Sequence, residues 1–486
     1  MKILILQLAR LGDLYMTWPA LKALRRQFPT AEIHLMVRST FKEAMIGNHA
    51  VNRIIELDTE KILSQFFNVN SEQFQMTSAL LQAQKEVHFL MSSLKSEKYD
   101  WIINATFSPV SSFVTHQLAS PTTKISGYTR HNDGYFQLPD ELSTYFYAQV
   151  GIDKPNRIHL TDLFSSLFEV NYTEEDFKAH IDHQLPFALP HKFIVLHIGA
   201  SQAQKVFNPV RWTRYVRYLW SRTQLPICLI GSNSERITAD LICGGNSQAQ
   251  IIDLVGKTRL IDLFPLIKHS EMLVGCDSVA LHIATLTNTP TLNISLGKVN
   301  FWETGPKAQL SFIYRLEESE TIYAERVAEV TAGLLEGNMS SELIYRTDGY
   351  VSYFDPREKS EPFSWKLLKS IYLGEKPPMT DDLQYVQAVQ KLSELNDFII
   401  DQLKIFEKTR DQKFLQLIGR AEESITAFNR LAPSLSPMIN WLLARKTQIK
   451  PASQERLIEE TVKVHKEFQT ILNPYLLKDD MEVVYG

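Results

Sequence analysis

Residues 1–28, MKILILQLARLGDLYMTWPALKALRRQF, join two periodicities that decide the fold. The run KILILQLA (2–9) is almost continuously apolar, the pattern of a strand buried on both faces. WPALKALRRQF (18–28) then sets Leu21, Leu24 and Phe28 at helical spacing, with Lys22, Arg25 and Arg26 elsewhere on the helix. Pro19 suits the first turn of that helix or marks a kink. Between strand and helix stands RLGD (10–13). Gly12 permits a tight turn and close approach by a ligand. Asp13 either caps the helix or aims a carboxylate into a cleft as a general base.

The same alternation continues outward. AEIHLMV (31–37), NRIIELD (52–58) and YDWIINAT (99–106) read as strands, TKISGYT (123–129) as a weaker one, and about 76–94 as a long helix. Residues 171–192 lose the pattern among acids and prolines, as an interdomain linker does. It restarts with FIVLHIGA (193–200), PICLIGS (226–232), AQIIDLVG (249–256), EMLVGCDS (271–278) and PTLNISLG (290–297) as strands, separated by helices. Strands alternating with helices predict parallel sheets with helical crossovers, in two doubly wound α/β halves. From about 340 the chain turns aromatic and proline-punctuated, and from 380 it is helical. Leu383, Val386, Leu392, Leu395, Ile399, Leu403 and Phe406 recur at three- and four-residue steps. Further helices are expected near Asp411–Leu431, around Trp441 and over Ser453–Leu472. The division read from the sequence is 1–170, a linker 171–192, 193–340, an irregular segment 341–379, and a helical extension 380–486. The extension reads first as a packing or assembly module.

The 486 residues are 44% hydrophobic and 22% charged, with a formal net charge of −4 and a pI of about 6.4. This is a globular composition with ample core and no overall basic field, so nucleic acid is not an expected partner. The cysteines, Cys228, Cys243 and Cys276, form no CxxC pair, and no metal-ligand spacing stands out among the thirteen histidines. No metal and no cofactor is expected. No apolar run reaches the roughly 18 residues of a spanning helix, and the start lacks a signal peptide's apolar stretch and cleavage site. A cytoplasmic location is therefore expected, and the glycosylation-type match NYT (171–173) reads as chance.

In open α/β sheets, ligands bind beyond the carboxyl ends of the strands, and four such places carry chemistry. RLGD is the first. In HIGASQAQK (197–205), the small residues Gly199, Ala200 and Ser201 let backbone N–H groups face an anion, and Lys205 either neutralises a phosphate or is a surface lysine. In IGSNSER (230–236), Gly231 and Ser232 end a strand, and Glu235 suits a helix dipole or the hydroxyls of a ribose. In GCDSVALH (275–282), Asp277 and Ser278 end a strand, Asp277 is a candidate helix cap, and His282 lies one turn along the next helix. There is no Walker P-loop, no G-x-G-x-x-G after the first strand, and no G-x-S-x-G.

Taken in order, these stretches resemble glycosyltransferase family 9, the ADP-heptose:lipopolysaccharide heptosyltransferases. The resemblance rests on RLGDLYMTWPALKALRRQFPTAEIHLMV (10–37), RIHLTDLFSSLFEV (157–170), HIGASQAQKVFNPVRW (197–212), IGSNSER, DLVGKTRLIDLFPLIKHSEMLVG (253–275) and GCDSVALHIATLTNTPTLNISLG (275–297). It covers about residues 1–336. It implies a GT-B fold, two Rossmann-like domains with the active site between them, and metal-independent inverting transfer. By resemblance, Asp13 deprotonates the acceptor hydroxyl, Lys205 binds the departing phosphates, Glu235 holds the ribose and Asp277 contacts the donor sugar. The helix from Ser278 through His282 would present N–H groups to the diphosphate. Two departures lie on the donor side. Val279, Ala280 and Leu281 stand where the family usually has Gly-Pro-Met or similar, and VFNPVRW lacks the usual aromatic-Pro pattern behind the lysine.

The function expected is transfer of a sugar, with heptose the candidate, from a nucleotide-diphospho donor such as ADP-heptose to a saccharide acceptor such as a lipopolysaccharide core. Nucleotide-binding candidates are Ser201, Lys205, Gly231, Ser232, Glu235, Asp277, Ser278, Val279 and His282, and acceptor candidates are Arg10 and Gly12. Arg10, Lys22, Arg25, Arg26, Arg38 and Lys42 make the first lobe locally basic, which suits an anionic glycolipid acceptor and peripheral contact with the inner membrane. The competing reading is a catalytically impaired GT-B scaffold that binds a protein partner or oligomerises through 380–486. A sugar-nucleotide epimerase of the same architecture is a third.

Overall fold

The computed structural model describes residues 1–62, 73–200, 202, 205–315, 322–347 and 353–476. The first strands are β1 (Lys2–Leu6), β2 (Glu32–Arg38), β3 (Arg53–Leu57) and β4 (Trp101–Asn104). They lie in the order β3-β2-β1-β4, all parallel, with Ile3 paired to Ile33 on one side and Trp101 on the other. Ile3, Leu4, Ile5 and Leu6 have no exposed surface, because helices cover both faces of a parallel sheet. Three short strands follow, β5 (Lys124–Gly127), β6 (Thr129–Arg130) and β7 (Phe136–Gln137), the last two an antiparallel hairpin.

The second sheet comprises β8 (Ile194–His197), β9 (Ile227–Ile230), β10 (Ile251–Asp253), β11 (Met272–Cys276), β12 (Thr291–Ile294), β13 (Ser311–Tyr314), β14 (Leu343–Arg346) and β15 (Tyr353–Phe354). Its order is β10-β9-β8-β11-β12-β13-β14-β15, parallel up to β13 and antiparallel beyond. The segment 341–379, expected to be irregular, thus supplies the last two strands of the sheet and the helix Phe363–Tyr372. Short antiparallel strands with aromatic residues carry too little periodicity to read from sequence.

Each sheet reverses its winding at one place, between β1 and β4 and between β8 and β11. These are the switch points where a doubly wound sheet opens a crevice beyond its strand ends. Strands β1–β4 and the second sheet belong to one compact unit, residues 1–106, 118–124 and 157–359. Aromatic packing joins its lobes. Tyr15 and Trp18 of the helix Leu11–Gln27 meet Phe264 of the helix Leu263–Lys268, with ring centroids 5.6 and 5.9 Å apart. The linker is pinned to the first lobe as well. Asp176 accepts from Arg26 at 2.5 and 2.6 Å, and Lys22 donates to the Lys178 carbonyl at 2.5 Å.

The helix Leu11–Gln27 begins well before WPALKALRRQF, so Pro19 lies in its interior and not in its first turn. The reason is local. Asp13 accepts the backbone N–H of Arg10 at 2.9 Å and starts the helix at Leu11.

A second compact unit contains 107–117, 125–156 and 360–486. Here the helices Leu383–Thr409, Gln412–Leu431, Ser436–Lys446 and Gln454–Leu472 form a bundle around Leu392, Ile399, Leu403, Phe406, Met438, Ile439 and Phe468. The turn between the first two is tight. Arg410 adopts φ +58° and Asp411 caps the second helix through Lys413 N–H at 3.0 Å. The helix Ser436–Lys446 packs on the helix Glu141–Gln149, with Gln448 donating to Thr144 Oγ1 at 2.9 Å and Gln149 to the Pro437 carbonyl at 3.1 Å. The helical tail therefore uses part of its surface to pack against its own chain.

Candidate functional site

One cleft of about 770 Å3 in the first unit gathers the ends of β1, β8, β9 and β11. Its walls include Arg10, Gly12, Asp13, Lys205, Ser232, Glu235, Asp277, Ser278, Val279 and His282. Gly231 stands behind this wall, where a Cβ would lie 3.3 Å from the Glu235 side chain. Ser201 lies outside the described residues.

Asp13 is both a cap and a cleft residue. Its Oδ2 takes the Arg10 N–H, and the carboxylate still lines the cavity. Burial pushes its pKa up. The Arg10 N–H and guanidinium pull it down, and the negative charge of Asp277 pushes it up again. The sum is a carboxylate more basic than an ordinary aspartate, as proton abstraction requires.

Gly12 is not at a turn. It is the second residue of its helix, and the missing Cβ makes room for the ring of His282 across the cleft. A Cβ there would lie 2.8 Å from His282 Cδ2 and 2.9 Å from Nε2. His282 sits in the helix Val279–Thr287 and is buried. Burial pushes its pKa down to about 4, with Asp277 opposing and Lys205 assisting, so the ring is neutral at pH 7.

Asp277 does not cap the helix Val279–Thr287. Ser278 holds the N-cap position, and Asp277 instead accepts from Lys205 Nζ at 2.7 Å. The Ser278 hydroxyl is buried and has no hydrogen-bond partner, while the residue lines the cleft. With the N–H groups of Val279 and Ala280 at the start of the helix it forms an anion-receptive corner, the Leu281 N–H being already bonded to the Ser278 carbonyl at 3.2 Å. Of the three residues that depart from the family pattern, only Val279 lines the cleft; Ala280 and Leu281 are fully buried.

Glu235 closes a capping box. It accepts Ser232 N–H at 2.7 Å, Ser232 Oγ at 2.8 Å and Ser234 Oγ at 2.6 Å. Burial works against its charge, but the bonds from Ser234 and Ser232 together hold its pKa below the usual value. Gly199 lets this carboxylate approach the end of β8, since a Cβ there would lie 2.8 Å from Glu235 Cδ.

Gly199 and Ala200 also line the wall, as do Leu11, Met16, Phe41, His197, Ser234 and Thr304, which were not singled out from sequence. His197 ends β8, where the strand-end rule points, and its Nδ1 is buried without a partner. Burial also lowers its pKa, against the charge of Glu235. Phe41 and Thr304 come from short helical turns that carry no sequence signal. Among the described residues, no group of three His, Cys, Asp or Glu side chains could hold a metal ion.

The model of the family described as glycosyltransferase family 9 (heptosyltransferase) matches residues 87–329, half of the chain. The chain is 21% identical over 290 residues to lipopolysaccharide heptosyltransferase 3 of Escherichia coli K12, covering 58% of this chain and 79% of that protein. It is 24% identical over 331 residues to lipooligosaccharide heptosyltransferase 2 of Haemophilus ducreyi, covering 65% and 89%. The solved structure of the E. coli ADP-heptose lipopolysaccharide heptosyltransferase II superposes with a TM-score of 0.50 at 18% identity, over 69% of this chain and 99% of that one. At that identity the likeness establishes the shared GT-B fold.

Proposed function

The chain belongs to glycosyltransferase family 9, the heptosyltransferase family, and from that premise we propose that its cleft performs a metal-independent, inverting transfer. The donor is a nucleotide-diphospho sugar, with ADP-heptose the first candidate. The acceptor is a saccharide of the lipopolysaccharide-core type. The observation that carries this reading is the opposition of Asp13, from one lobe, to Lys205, Glu235, Asp277 and Ser278, from the other, across a single cavity.

Each group has a step it suits. Asp13 takes the proton of an acceptor hydroxyl as that oxygen attacks the anomeric carbon. The bond from that carbon to the diphosphate oxygen breaks on the opposite face, so configuration inverts. Negative charge then grows on the leaving diphosphate. Lys205, the Ser278 hydroxyl and the N-terminus of the helix Val279–Thr287 supply fixed positive potential there. A carboxylate has about four lone-pair sites. Three protein hydrogen bonds reach Glu235, which leaves room for a ribose hydroxyl. Arg10 and Gly12, on the same lobe as Asp13, are the residues we assign to the acceptor side.

No helix among the described residues is long and apolar enough to cross a membrane. A cytoplasmic enzyme working on a glycolipid would meet the inner membrane peripherally; the cluster of cations near the start of the chain is a weak pointer to that contact, because Arg26 is paired with Asp176 and Lys22 and Arg25 are bonded to backbone carbonyls. A further protein or a second copy would dock on the exposed face of the helical bundle within 383–472.

The test pairs binding with turnover. Nucleotide-diphospho sugars are titrated calorimetrically into the wild type and into Asp13→Asn. The expected result is donor affinity within about twofold in both, and transfer lost by roughly 10²–10⁴ in the variant, the usual contribution of a general base. Unchanged turnover would remove Asp13 as the base. Failure of every donor to bind would favour the scaffold reading.

A further inference from the structure

The ion pair between Lys205 and Asp277 joins two residues that the mechanism uses separately. Nζ lies 2.7 Å from Oδ2, and the side chains are only 15% and 12% exposed. Lys205 follows β8 and Asp277 follows β11, so the pair bridges adjacent strands at the switch point of the second sheet. Both residues line the cleft, beside the unpartnered Ser278 hydroxyl and the N-terminus of the helix Val279–Thr287. A carboxylate offers an ammonium the same anionic oxygens that a phosphate offers, at the same distance.

We propose that Asp277 is an internal competitor for the phosphate site: it holds Lys205, and a nucleoside diphosphate must take the ammonium from it in order to bind. This rests on the nucleotide-sugar reading above and adds to it a role that a sugar-contacting aspartate would not have. The ammonium has three N–H donors, so sharing is conceivable on hydrogen-bond count alone. Charge argues against it. Carboxylate and diphosphate would face each other around one cation, in a partly buried site where like charges are poorly screened. The exchange sets the nucleotide affinity and lets go of the leaving group. As the diphosphate departs, Asp277 recaptures Lys205.

The experiment is a double-mutant cycle on nucleotide binding. ADP, UDP, GDP and CDP, without sugar, are titrated calorimetrically into wild type, Asp277→Asn, Lys205→Met and the double variant. Asp277→Asn keeps the shape and removes the competing charge, and Asp277→Ala repeats the measurement without the amide. In the Lys205 background both are expected to tighten binding about tenfold, a change of ~1.4 kcal/mol. In the Lys205→Met background only the direct repulsion between carboxylate and diphosphate remains, so the same changes are expected to tighten binding distinctly less than in the Lys205 background. Equal tightening in both backgrounds would make Asp277 a simple repulsive charge and overturn the inference. Unchanged or weaker binding on replacing Asp277 would mean that it shares the lysine with the phosphate, and would also overturn it. If the wild type binds none of the four diphosphates, it is the nucleotide-sugar reading itself that fails.

Discussion

Gly12→Ala tests whether the two lobes meet where the structure has them meet. The new Cβ would lie 2.8 Å from His282 Cδ2 and 2.9 Å from Nε2, against 3.4 Å for ordinary contact. One side must therefore retreat by about 0.6 Å. His282 cannot swing aside easily, because it is buried within the helix Val279–Thr287. Overpacking of this kind costs roughly 1–3 kcal/mol. Alanine recovers at most about 1 kcal/mol of helix propensity over glycine, and less in a first turn. The net loss should be about 1–2 kcal/mol, read by urea unfolding. The displacement also separates Asp13 from the donor wall. A 1 Å error in reactive geometry costs on the order of 10²-fold, so turnover should fall roughly tenfold with donor affinity nearly kept. His282→Ala supplies the control, since with the ring removed Gly12→Ala should cost almost nothing further. A Gly12→Ala enzyme of wild-type stability and turnover would refute the reasoning. So would a penalty that persists in the His282→Ala background.

Two further outcomes follow from titrating groups. Asp13 has a raised pKa because it is buried and faces Asp277. The acid limb of the pH–turnover profile should therefore lie above the ordinary aspartate range, and Asp277→Asn should move it down; a limb at or below that range would contradict the assignment. The same raised pKa means that ionised Asp13 costs stability once pH passes its folded value, so Asp13→Asn should stabilise the fold at pH 7 and lose that advantage in acid. His282 is pushed down to about 4 by burial, and His159 and His465, also buried, to about 3. Below the unfolded histidine pKa of about 6.5 the unfolded chain binds protons that these rings refuse. Stability should be fully present above pH 6.5 and fall steadily toward pH 4, with His282 alone contributing roughly 3 kcal/mol of the loss. A flat unfolding free energy over that window would show the rings to be accessible.

Much of the scaffold was legible because it obeys short-range rules. Continuous apolar runs such as KILILQLA mark strands covered on both faces, and the strand-end rule pointed to Arg10, Lys205, Glu235 and Asp277, all of which line one cleft. Other features depended on partners distant in the chain. The sequence left Pro19 open between a first turn and a kink, because only the bond from Arg10 N–H to Asp13 shows that the helix has already begun at Leu11. Asp277 looked like a cap because a strand-end acid before a helix usually is one; Lys205, 72 positions away, claims it instead. β14 and β15 were missed because such short terminal strands are defined by the neighbours that receive them.

The amino-acid sequence by itself determined the alternation of strand and helix, the family and the set of chemically competent residues, because each rests on local periodicity or on motif order. Only the tertiary structure decided that Gly12 serves the His282 ring, that Asp277 holds Lys205, and that the helical tail packs on the segment 125–156. Those choices depend on which surfaces come within a few ångströms when the switch points of two sheets face each other. Contact of that kind depends on three-dimensional packing, and no local pattern encodes it.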